Sequence, residues 1–256
     1  MLRAITHKVS SRIADCELTF LERLPINLAV ASQQHNAYED KLAELGVNVT
    51  SLSANDNYPD CSFVEDTVFV LDDLAVVCSM GALSRRGEPA LIAREISKYR
   101  EVVHISLPAT IEGGDILRME KRILIGLSAR TNLEGIRRLT EIVAPFGYEV
   151  IPIPVKGSLH LKSACCAIDD ETLIVNSEWL TSDLLAGFRV LQSPIEESQA
   201  TNVLRVGEVV CVQAGCPRTV DLIGQVAKCV ETIDMSELQK AEAGLTCCSV
   251  IFESAM

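Results

Sequence analysis

Residues 62–79 read SFVEDTVFVLDDLAVVCS: a pair of acids, an apolar strand, an acidic turn at Asp72-Asp73 and a second apolar strand. The next segment, SRRGEPALIAREISKY, is typical of a helix, and EVVHISL then predicts a third strand. This order of two strands, a helix and a strand defines a unit against which the rest of the chain can be compared.

The same unit recurs along the chain. A second copy contains EGGDILRMEKRILIGLS as two strands, TNLEGIRRLTEIVAPFG as a helix closed by Gly147, and YEVIPIPV as a strand. The third runs through LHLKSACCAIDDETLIVNS, the helical SDLLAGF and the strand RVLQSPI, and the fourth through TNVLRVGEVVCVQA, PRTVDLIGQVAKCVET and IDMSEL. The two ends, NLAVASQQHNAYEDKLAELGVNVTSLS and LTCCSVIFE, together supply a fifth.

The repeat predicts the architecture. Its period of about 42 to 48 residues indicates an α/β fold, a five-fold pseudosymmetric propeller of ββαβ units around a central cleft, where we expect the active site. No Pro/Gly/Ser-rich linker interrupts the chain, so residues 1–256 are expected to form a single domain. Potentially reactive residues mark matching points of the period: Leu18, Glu65, Glu112, His160, Asn202 and Cys247.

The composition limits the classes of partner. The net charge of -12 and the pI near 4.8 argue against nucleic acid, because no basic face is available for phosphates, whereas a cationic small molecule suits this field. No apolar run approaches the roughly 18–20 residues that span a bilayer, so no membrane partner is expected. The N-terminal sequence lacks the pattern of a signal peptide, which predicts a cytoplasmic location.

The ten cysteines are then expected in a reducing compartment. No C-x-x-C pair occurs, which argues against a structural zinc site, and most of these thiols are expected to be inert and buried. We expect neither a metal nor an organic cofactor. A homodimer would suit the apolar C-terminal strand and the outer helices, but nothing in the sequence requires one.

Three residues at matching points of the repeat suggest chemistry. TCCSVIF, residues 246–252, predicts a strand in which only one of Cys247 and Cys248 can face the cleft. Taken singly, a cysteine here is commonly a small core residue, and so is a histidine between leucines in LHLKS. Together, Cys247, His160 and Glu112 supply a thiol nucleophile, a general acid and base, and a carboxylate to orient the imidazole.

Charged residues in apolar surroundings indicate the ligand. PDCSFVED places Asp60, Glu65 and Asp66 at an apolar strand, and buried carboxylates require partners, of which a planar guanidinium is the best match. Arg85 in SRRGE and Arg130 in GLSARTN are either exposed residues at helix starts or residues that bind a substrate carboxylate. The combination favours a zwitterion with a cationic tail, such as an arginine-like amino acid.

Seven blocks carry a family resemblance: PDCSFVED, SRRGE, EGGD, GLSARTN, LHLKS, MSEL and GLTCCS. In order and spacing, over most of the chain, they resemble the signature blocks of the dimethylarginine dimethylaminohydrolases, a family of the pentein or guanidino-modifying superfamily. Arginine deiminases share the chemical scheme but are longer and carry an inserted helical domain, which this chain lacks.

The resemblance implies a role for each matching residue. Cys247 aligns with the nucleophile, His160 with the general acid and base, and Glu112 with the carboxylate beside it, while Cys248 would face away. The implied substrate contacts are Asp60, Glu65 and Asp66 around the guanidinium, Arg85 and Arg130 on the carboxylate, and main-chain groups of Leu18, in a lid after the N-terminal strand, and of Ala241.

The implied reaction converts dimethylarginine or monomethylarginine to citrulline and dimethylamine or methylamine through a covalent thiouronium on Cys247. Two alternatives stay open at this point. One is a related hydrolase or deiminase that acts on arginine or another guanidine. The other is a pentein-fold binding scaffold without activity, as in a ribosome anti-association factor. The set of Cys247, His160 and Glu112 favours an enzyme, since a scaffold has no need of it.

Overall fold

The computed structural model describes residues 1–254, which form five three-stranded sheets. In each sheet two strands pair antiparallel and the third joins the central strand in parallel, so each unit contains a crossover connection. The predicted α/β propeller of ββαβ units is confirmed. The strands are β1 (Leu2–His7), β2 (Asn48–Leu52), β3 (Val68–Val70), β4 (Leu74–Val77), β5 (Glu101–His104), β6 (Ile116–Met119), β7 (Arg122–Leu127), β8 (Glu149–Pro154), β9 (Cys165–Ala167), β10 (Thr172–Val175), β11 (Arg189–Gln192), β12 (Leu204–Val206), β13 (Val209–Gln213), β14 (Cys229–Ile233) and β15 (Val250–Glu253).

Helices supply most of the crossovers and connections. The crossover between β10 and β11 is instead a short 3₁₀ helix, Ser182–Leu185, where the sequence predicted a helix. None of the helices within residues 1–254 has the length and apolarity needed to cross a membrane. The helices are α1 (Leu28–Glu44), α2 (Pro89–Ile96), α3 (Leu133–Val143), α4 (Leu161–Ala164), α5 (Pro217–Ile223) and α6 (Ser236–Gln239).

The two ends of the chain share one sheet. Strand β15 pairs antiparallel with β1, with Val250 opposite Ile5, and β1 pairs in parallel with β2. The expectation that the terminal segments combine into a fifth unit is therefore confirmed.

The central strands are buried on both faces, which explains their continuous apolar sequences. In β4, Leu74 and Val76 pack into a cluster shared with the sheet of β6, β7 and β8, whereas Ala75 and Val77 pack into one shared with the sheet of β1. Successive side chains of a strand point to opposite faces, so one strand serves two neighbours. The other central strands divide their side chains in the same way.

Five apolar clusters close the ring. Four of them join consecutive sheets, and the fifth joins the last sheet to the first, where Leu204 and Val206 of β12 pack with Ala4 of β1 and Tyr38 of α1. Each fully buried aliphatic side chain contributes about 1.5–3 kcal/mol to folding relative to an exposed one. The stability of every unit therefore depends on its packing against both of its neighbours.

In each sheet a short helical turn precedes the strand that pairs antiparallel with the central strand, and we call these five segments the axial turns. They contact one another around the axis, and Asn202, next to the fourth turn, bonds to Thr246 of the fifth. Each of the potentially reactive residues at positions 65, 112, 160, 202 and 247 lies in an axial turn or directly beside one. The axial turns are Val64–Thr67, Gly113–Asp115, Leu161–Ala164, Ile195–Thr201 and Thr246–Cys248.

The axial turns correct two of the strand predictions. The predicted strand at 246–252 is a 3₁₀ helix at Thr246–Cys248, and the strand begins only at Val250. Glu65 and Asp66 likewise belong to the turn Val64–Thr67 rather than to β3. A single helical turn inside an apolar run has too few residues for its period to be distinguished from strand alternation.

Two other boundaries differ from the predictions. In the fourth unit the last strand is β14, with residues CVETI, and the segment IDMSEL instead leads into the helix α6. The helix predicted over SRRGEPALIAREISKY is divided into a 3₁₀ turn, Leu83–Arg85, and α2, which starts at Pro89. Proline favours the first helical position because its fixed φ suits the helix and its missing N–H needs no partner there.

Candidate active site

The inner ends of the axial turns border a cavity, which we call the catalytic cavity. Most of the residues singled out from the sequence line it, although they come from distant parts of the chain. The lining residues are Glu17, Asp60, Phe63, Asp66, Arg85, Arg130, Leu159, His160, Ala241, Glu242, Ala243 and Cys247.

His160 lies among carboxylates in the wall of this cavity. Its Nε2 is 2.8 Å from Glu112 Oε2, and its Nδ1 is 3.7 Å from Asp66 Oδ1. Burial alone would lower the pKa of His160, but the carboxylates of Asp66, Glu112 and Asp115 outweigh it and raise the pKa to about 9. The imidazole is therefore protonated at neutral pH and can act as an acid.

Glu112 lies behind His160 and is fully buried. Its Oε1 accepts a hydrogen bond from the backbone N–H of Gly81 at 2.9 Å and lies 3.8 Å from Arg130 Nη1. Burial favours the neutral acid, but the hydrogen bond and charge of His160 outweigh it and lower the pKa of Glu112. Glu112 therefore holds His160 as an ionised carboxylate.

The EGGD block is explained by close packing at this point. A Cβ at Gly114 would lie 2.6 Å from His160 Nδ1 and 2.7 Å from Asp66 Oδ1, so no larger residue fits. The backbone N–H of Gly114 also donates to Asp66 Oδ1 at 3.1 Å. Glycine at this position allows the histidine and the aspartate to approach each other.

The two adjacent cysteines have different surroundings. Cys247 is half-buried in the cavity wall, and its Sγ accepts a hydrogen bond from the N–H of Gly244 at 3.3 Å. Cys248 is fully buried and packs in the apolar cluster between the fifth and first sheets. Burial, followed by the nearby charges of Glu65 and Asp66, raises the pKa of Cys247, so its resting form is the neutral thiol.

Arg85 is buried, and carboxylates of the protein engage most of its donors. Its Nη1 donates to Asp66 Oδ2 at 2.7 Å, and its Nη2 donates to Glu88 Oε2 at 2.8 Å and to the carbonyl of Phe63 at 3.1 Å. The sequence reasoning missed Glu88, although it follows Arg85 by three residues within the quoted block SRRGE. Burial raises the pKa of Glu88 to about 7, because the charge and hydrogen bonds of Arg85 offset only part of the cost of burying the carboxylate.

Arg130 is a buried cation with a donor group that has no partner in the protein. Only 8% of the residue is exposed, and its Nη2 donates to Thr19 Oγ1 at 3.0 Å. Its Nη1 has no hydrogen-bond acceptor among residues 1–254. A buried guanidinium N–H without a partner is uncommon in folded proteins, and at a cavity wall it is suited to a ligand carboxylate.

Asp60 faces the same cavity and is held by the backbone. Its two carboxylate oxygens accept the N–H of Glu17 at 3.1 and 3.2 Å. Burial raises the pKa of Asp60, and the positive charge of Arg85 offsets part of this increase. Asp60 and Asp66 thus provide acidic groups on one wall, whereas Arg130 provides the free cationic donor.

Besides Glu112, which lies behind His160, two of the singled-out residues do not line the cavity. Glu65 lies behind Cys247, where its carboxylate accepts from Lys162 Nζ at 2.5 Å and from Thr246 Oγ1 at 2.5 Å. Leu18 packs against the cluster between the fifth and first sheets, and its neighbour Glu17 lines the cavity instead. The sequence reasoning also missed Lys162, although it belongs to the quoted block LHLKS.

A metal ion would find three donors at one point of the site. Ligand atoms of Asp66, Glu112 and His160 lie within 4.8 Å of one another. These atoms also bind each other and their neighbours, as the His160–Glu112 pair and the Asp66–Arg85 ion pair show. The charges of the group are therefore balanced by protein side chains.

Comparisons with known proteins identify the family. A family model described as N,N dimethylarginine dimethylhydrolase, eukaryotic, matches residues 20–205. The N(G),N(G)-dimethylarginine dimethylaminohydrolase of Pseudomonas aeruginosa is 34% identical over 226 residues, which cover 88% of this chain and 89% of that protein. The chain belongs to the dimethylarginine dimethylaminohydrolase family. A second member, from Streptomyces coelicolor, is 33% identical over 97% of this chain and 96% of its own length.

Solved structures agree with this assignment. A mutant of the dimethylarginine dimethylaminohydrolase from Pseudomonas aeruginosa, complexed with citrulline, superimposes with a TM-score of 0.93 at 32% identity and covers 98% of both chains. The N-terminal domain of ArgZ, a cyanobacterial arginine dihydrolase, has a TM-score of 0.87 but only 14% identity and 98% coverage of both chains, so it shares the fold alone. The resemblance read from the seven sequence blocks is confirmed.

Proposed function

We propose that this protein hydrolyses Nω,Nω-dimethylarginine and Nω-methylarginine to citrulline and dimethylamine or methylamine. The observation that carries the proposal is the protonated His160 in the wall of a cavity that also presents the thiol of Cys247, with the ionised Glu112 behind the imidazole. The family supports this choice of substrate, since relatives that match most of the chain bear the name of this activity.

The charges of the cavity suit a substrate with a cationic end and a carboxylate. We assign the guanidinium to the wall that carries Asp66 and Asp60, and the α-carboxylate to the free Nη1 of Arg130. The remaining Nη1 hydrogen of Arg85 can donate a second hydrogen bond to this carboxylate. Glu65 would act from behind Cys247 rather than by touching the substrate.

The main chain completes the proposed binding site. The carbonyl of Leu18 would accept a hydrogen bond from the α-amine of the substrate, and a main-chain group of Ala241 would contact the guanidinium end. Ala241 lines the catalytic cavity, and Leu18 lies between Glu17 and Thr19, both of which bond to cavity residues.

Substrate binding provides the charge that activates the thiol. In the free protein, burial and the carboxylates of Glu65 and Asp66 raise the pKa of Cys247 and keep the thiol neutral. A guanidinium placed against Sγ neutralises that negative field and stabilises the thiolate, to which the N–H of Gly244 also donates. The thiol proton leaves to solvent as the substrate binds.

The reaction then follows in two displacements. Cys247 Sγ attacks the guanidinium carbon, and protonated His160 donates its proton to the departing amine, so the C–N bond breaks and a thiouronium remains. His160, now neutral, takes a proton from water as the water attacks the same carbon. The C–S bond breaks, and citrulline and the thiolate are released. Glu112 stabilises the imidazolium before the first proton transfer and again after His160 has taken the proton of the water.

The whole chain is proposed to act as one catalytic domain. The five clusters that join each sheet to the next support this proposal, because no unit is packed separately from the ring. The catalytic residues also come from three different units, so none of the units carries the site alone.

A proton NMR time course with asymmetric dimethylarginine and arginine in competition tests the function. We expect dimethylamine and citrulline to accumulate while arginine is unchanged. Consumption of arginine would reassign the activity to a deiminase, and no change in either compound would reject both. Cys247→Ser should eliminate turnover, and Cys248→Ser is the matched control that should retain it.

A further inference from the structure

Residues 17–27, which we call the lid segment, run beside the catalytic cavity without regular secondary structure. Glu17 lines the catalytic cavity itself, and Phe20 and Leu21 line an adjoining cavity that shares Leu159 and Glu242 with it. Phe20 is 49% exposed and Leu21 is 51% exposed, so apolar packing alone does not hold the segment in place.

One carboxylate holds the middle of the lid segment. Glu242 accepts the backbone N–H of Thr19 at 3.0 Å, of Phe20 at 2.5 Å and of Leu21 at 2.6 Å. Three successive backbone N–H groups that converge in this way form a concavity for an anion, and here the anion is a side chain of the same protein. Hydrogen bonds to an ionised acceptor are about twice as strong as neutral ones.

Glu242 is held in an unusual backbone conformation to make these contacts. Its φ is 59°, in the left-handed region that costs a non-glycine residue roughly 1–2 kcal/mol. Glu242 directly follows Ala241, and two residues further on Gly244 donates its N–H to Cys247 Sγ. One short loop therefore contacts the lid segment, the catalytic cavity and the thiol.

The lid segment is also tied to the proposed substrate carboxylate site. Arg130, which lines the catalytic cavity, donates from Nη2 to Thr19 Oγ1, while its Nη1 has no hydrogen-bond partner among residues 1–254. Thr19 therefore bonds to Arg130 through its side chain and to Glu242 through its backbone. A ligand on Arg130 would fix the same guanidinium that holds Thr19.

We propose that Glu242 is a positioning residue that keeps the lid segment, and with it the carbonyl of Leu18, against the bound substrate. The proposal rests on the proposed function, because it assigns Leu18 to the substrate amine. Other contacts anchor the far part of the segment, since Lys240 donates to the carbonyl of Pro25 and Arg23 to that of Cys16. Loss of Glu242 should free residues 19–21 without releasing the whole segment.

Glu242→Gln tests this without changing the side-chain shape or the backbone requirement. We expect the KM for dimethylarginine to rise about tenfold and kcat to change less than threefold, because the lid contacts substrate but not the reacting atoms. Glu242→Gly, which suits the positive φ, should have a larger effect in the same direction. Glu120→Gln is the matched control, since Glu120 also has a positive φ of 54° but lies in an exposed turn between β6 and β7.

A second readout follows the lid segment directly. Chymotrypsin cleavage after Phe20, measured by mass spectrometry, should be at least fivefold faster in Glu242→Gln than in the wild type or Glu120→Gln. Unchanged cleavage overturns the proposal, and so does faster cleavage with an unchanged KM, which would make the contact purely structural. If the wild type does not turn over methylated arginines, the proposed function fails instead, and the cleavage rates still decide whether Glu242 holds the lid.

Discussion

His160 and His35 are two buried histidines whose surroundings differ. His160 has Glu112 at hydrogen-bond distance and Asp66 within 4 Å, whereas neither ring nitrogen of His35 has a hydrogen-bond partner among residues 1–254. The closest approach to His35 is Glu39, with Oε1 3.6 Å from Nδ1. That oxygen already accepts hydrogen bonds from Thr6 at 2.6 Å and from a serine of β2 at 2.7 Å.

The difference in partners reverses the effect of burial. Burial lowers the pKa of His35 to about 4, because Glu39 offsets only part of it and the nearby Lys8 and His7 act in the same direction as burial. At His160 the surrounding carboxylates outweigh burial and raise the pKa to about 9. Depth in the protein therefore does not set the charge of a histidine. Its charge is set by the charged groups that tertiary packing places beside it.

The largest expected effect separates the two histidines by function. His160→Gln should reduce kcat/KM for dimethylarginine by at least about a thousandfold, because the leaving amine loses its acid and the water loses its base. His35→Gln should keep kcat/KM within about threefold, since His35 does not line the catalytic cavity. Steady-state kinetics on both variants check the contrast, and equal losses would place His160 outside the chemistry.

Glu112→Gln should make His160 more like His35. Removing the carboxylate lowers the His160 pKa from about 9, since Glu112 is one of the groups that raise it. We expect kcat/KM to fall about a hundredfold, and NMR titration of the imidazole should show its midpoint at lower pH. An unmoved midpoint would contradict the role assigned to the Glu112 carboxylate.

The two histidines should make the free energy of unfolding depend on pH with opposite signs. The lowered pKa of His35 means that the unfolded chain binds more protons between about pH 4 and 6.5, so about 2 kcal/mol of stability should be lost between pH 7 and pH 5. The raised pKa of His160 stabilises the fold below pH 6.5, and that stabilisation should be lost as the pH rises through 9.

Urea unfolding across this pH range measures how steeply the free energy of unfolding changes with pH on the acid side and on the alkaline side. His35→Gln should flatten the acid side of the curve and leave the alkaline side, and His160→Gln should do the reverse. Because only slopes are compared, a change in overall stability in either variant does not obscure the result. The same acid slope in His35→Gln and wild type would assign that proton uptake to another group.

The smallest effect is expected at Cys248, which has the packing role within the cysteine pair. Cys248→Ala should lower the free energy of unfolding by about 1 kcal/mol, because it removes a sulfur atom from a filled apolar cluster. Turnover should stay within about twofold of wild type. Thermal unfolding and a standard activity assay suffice, and a large loss of turnover would show that Cys248 supports the position of its neighbour.

The sequence allowed the units to be predicted but not the turns inside them. Strands such as LAVV are buried on both faces, so their continuous apolar runs and acidic turns identify them without any tertiary information. The axial turn at Thr246–Cys248 has the sequence pattern of a strand, because three residues inside an apolar run have no resolvable period. Five of the six residues predicted to mark matching points lie at the same point of their units, whereas Leu18 follows β1 in the unit that Cys247 already marks.

Period, apolar pattern and turn residues are local properties of the chain, so the sequence is enough to predict the repeated ββαβ unit, the closed ring and the residue types that meet at the axis. Tertiary structure alone decided that Glu88 binds Arg85, that Glu65 lies behind Cys247, and that Glu242 holds the lid segment. It also set the charges of His160 and Cys247. Electrostatic energies depend on distance in space and on burial, and groups from different units acquire both only when the ring closes.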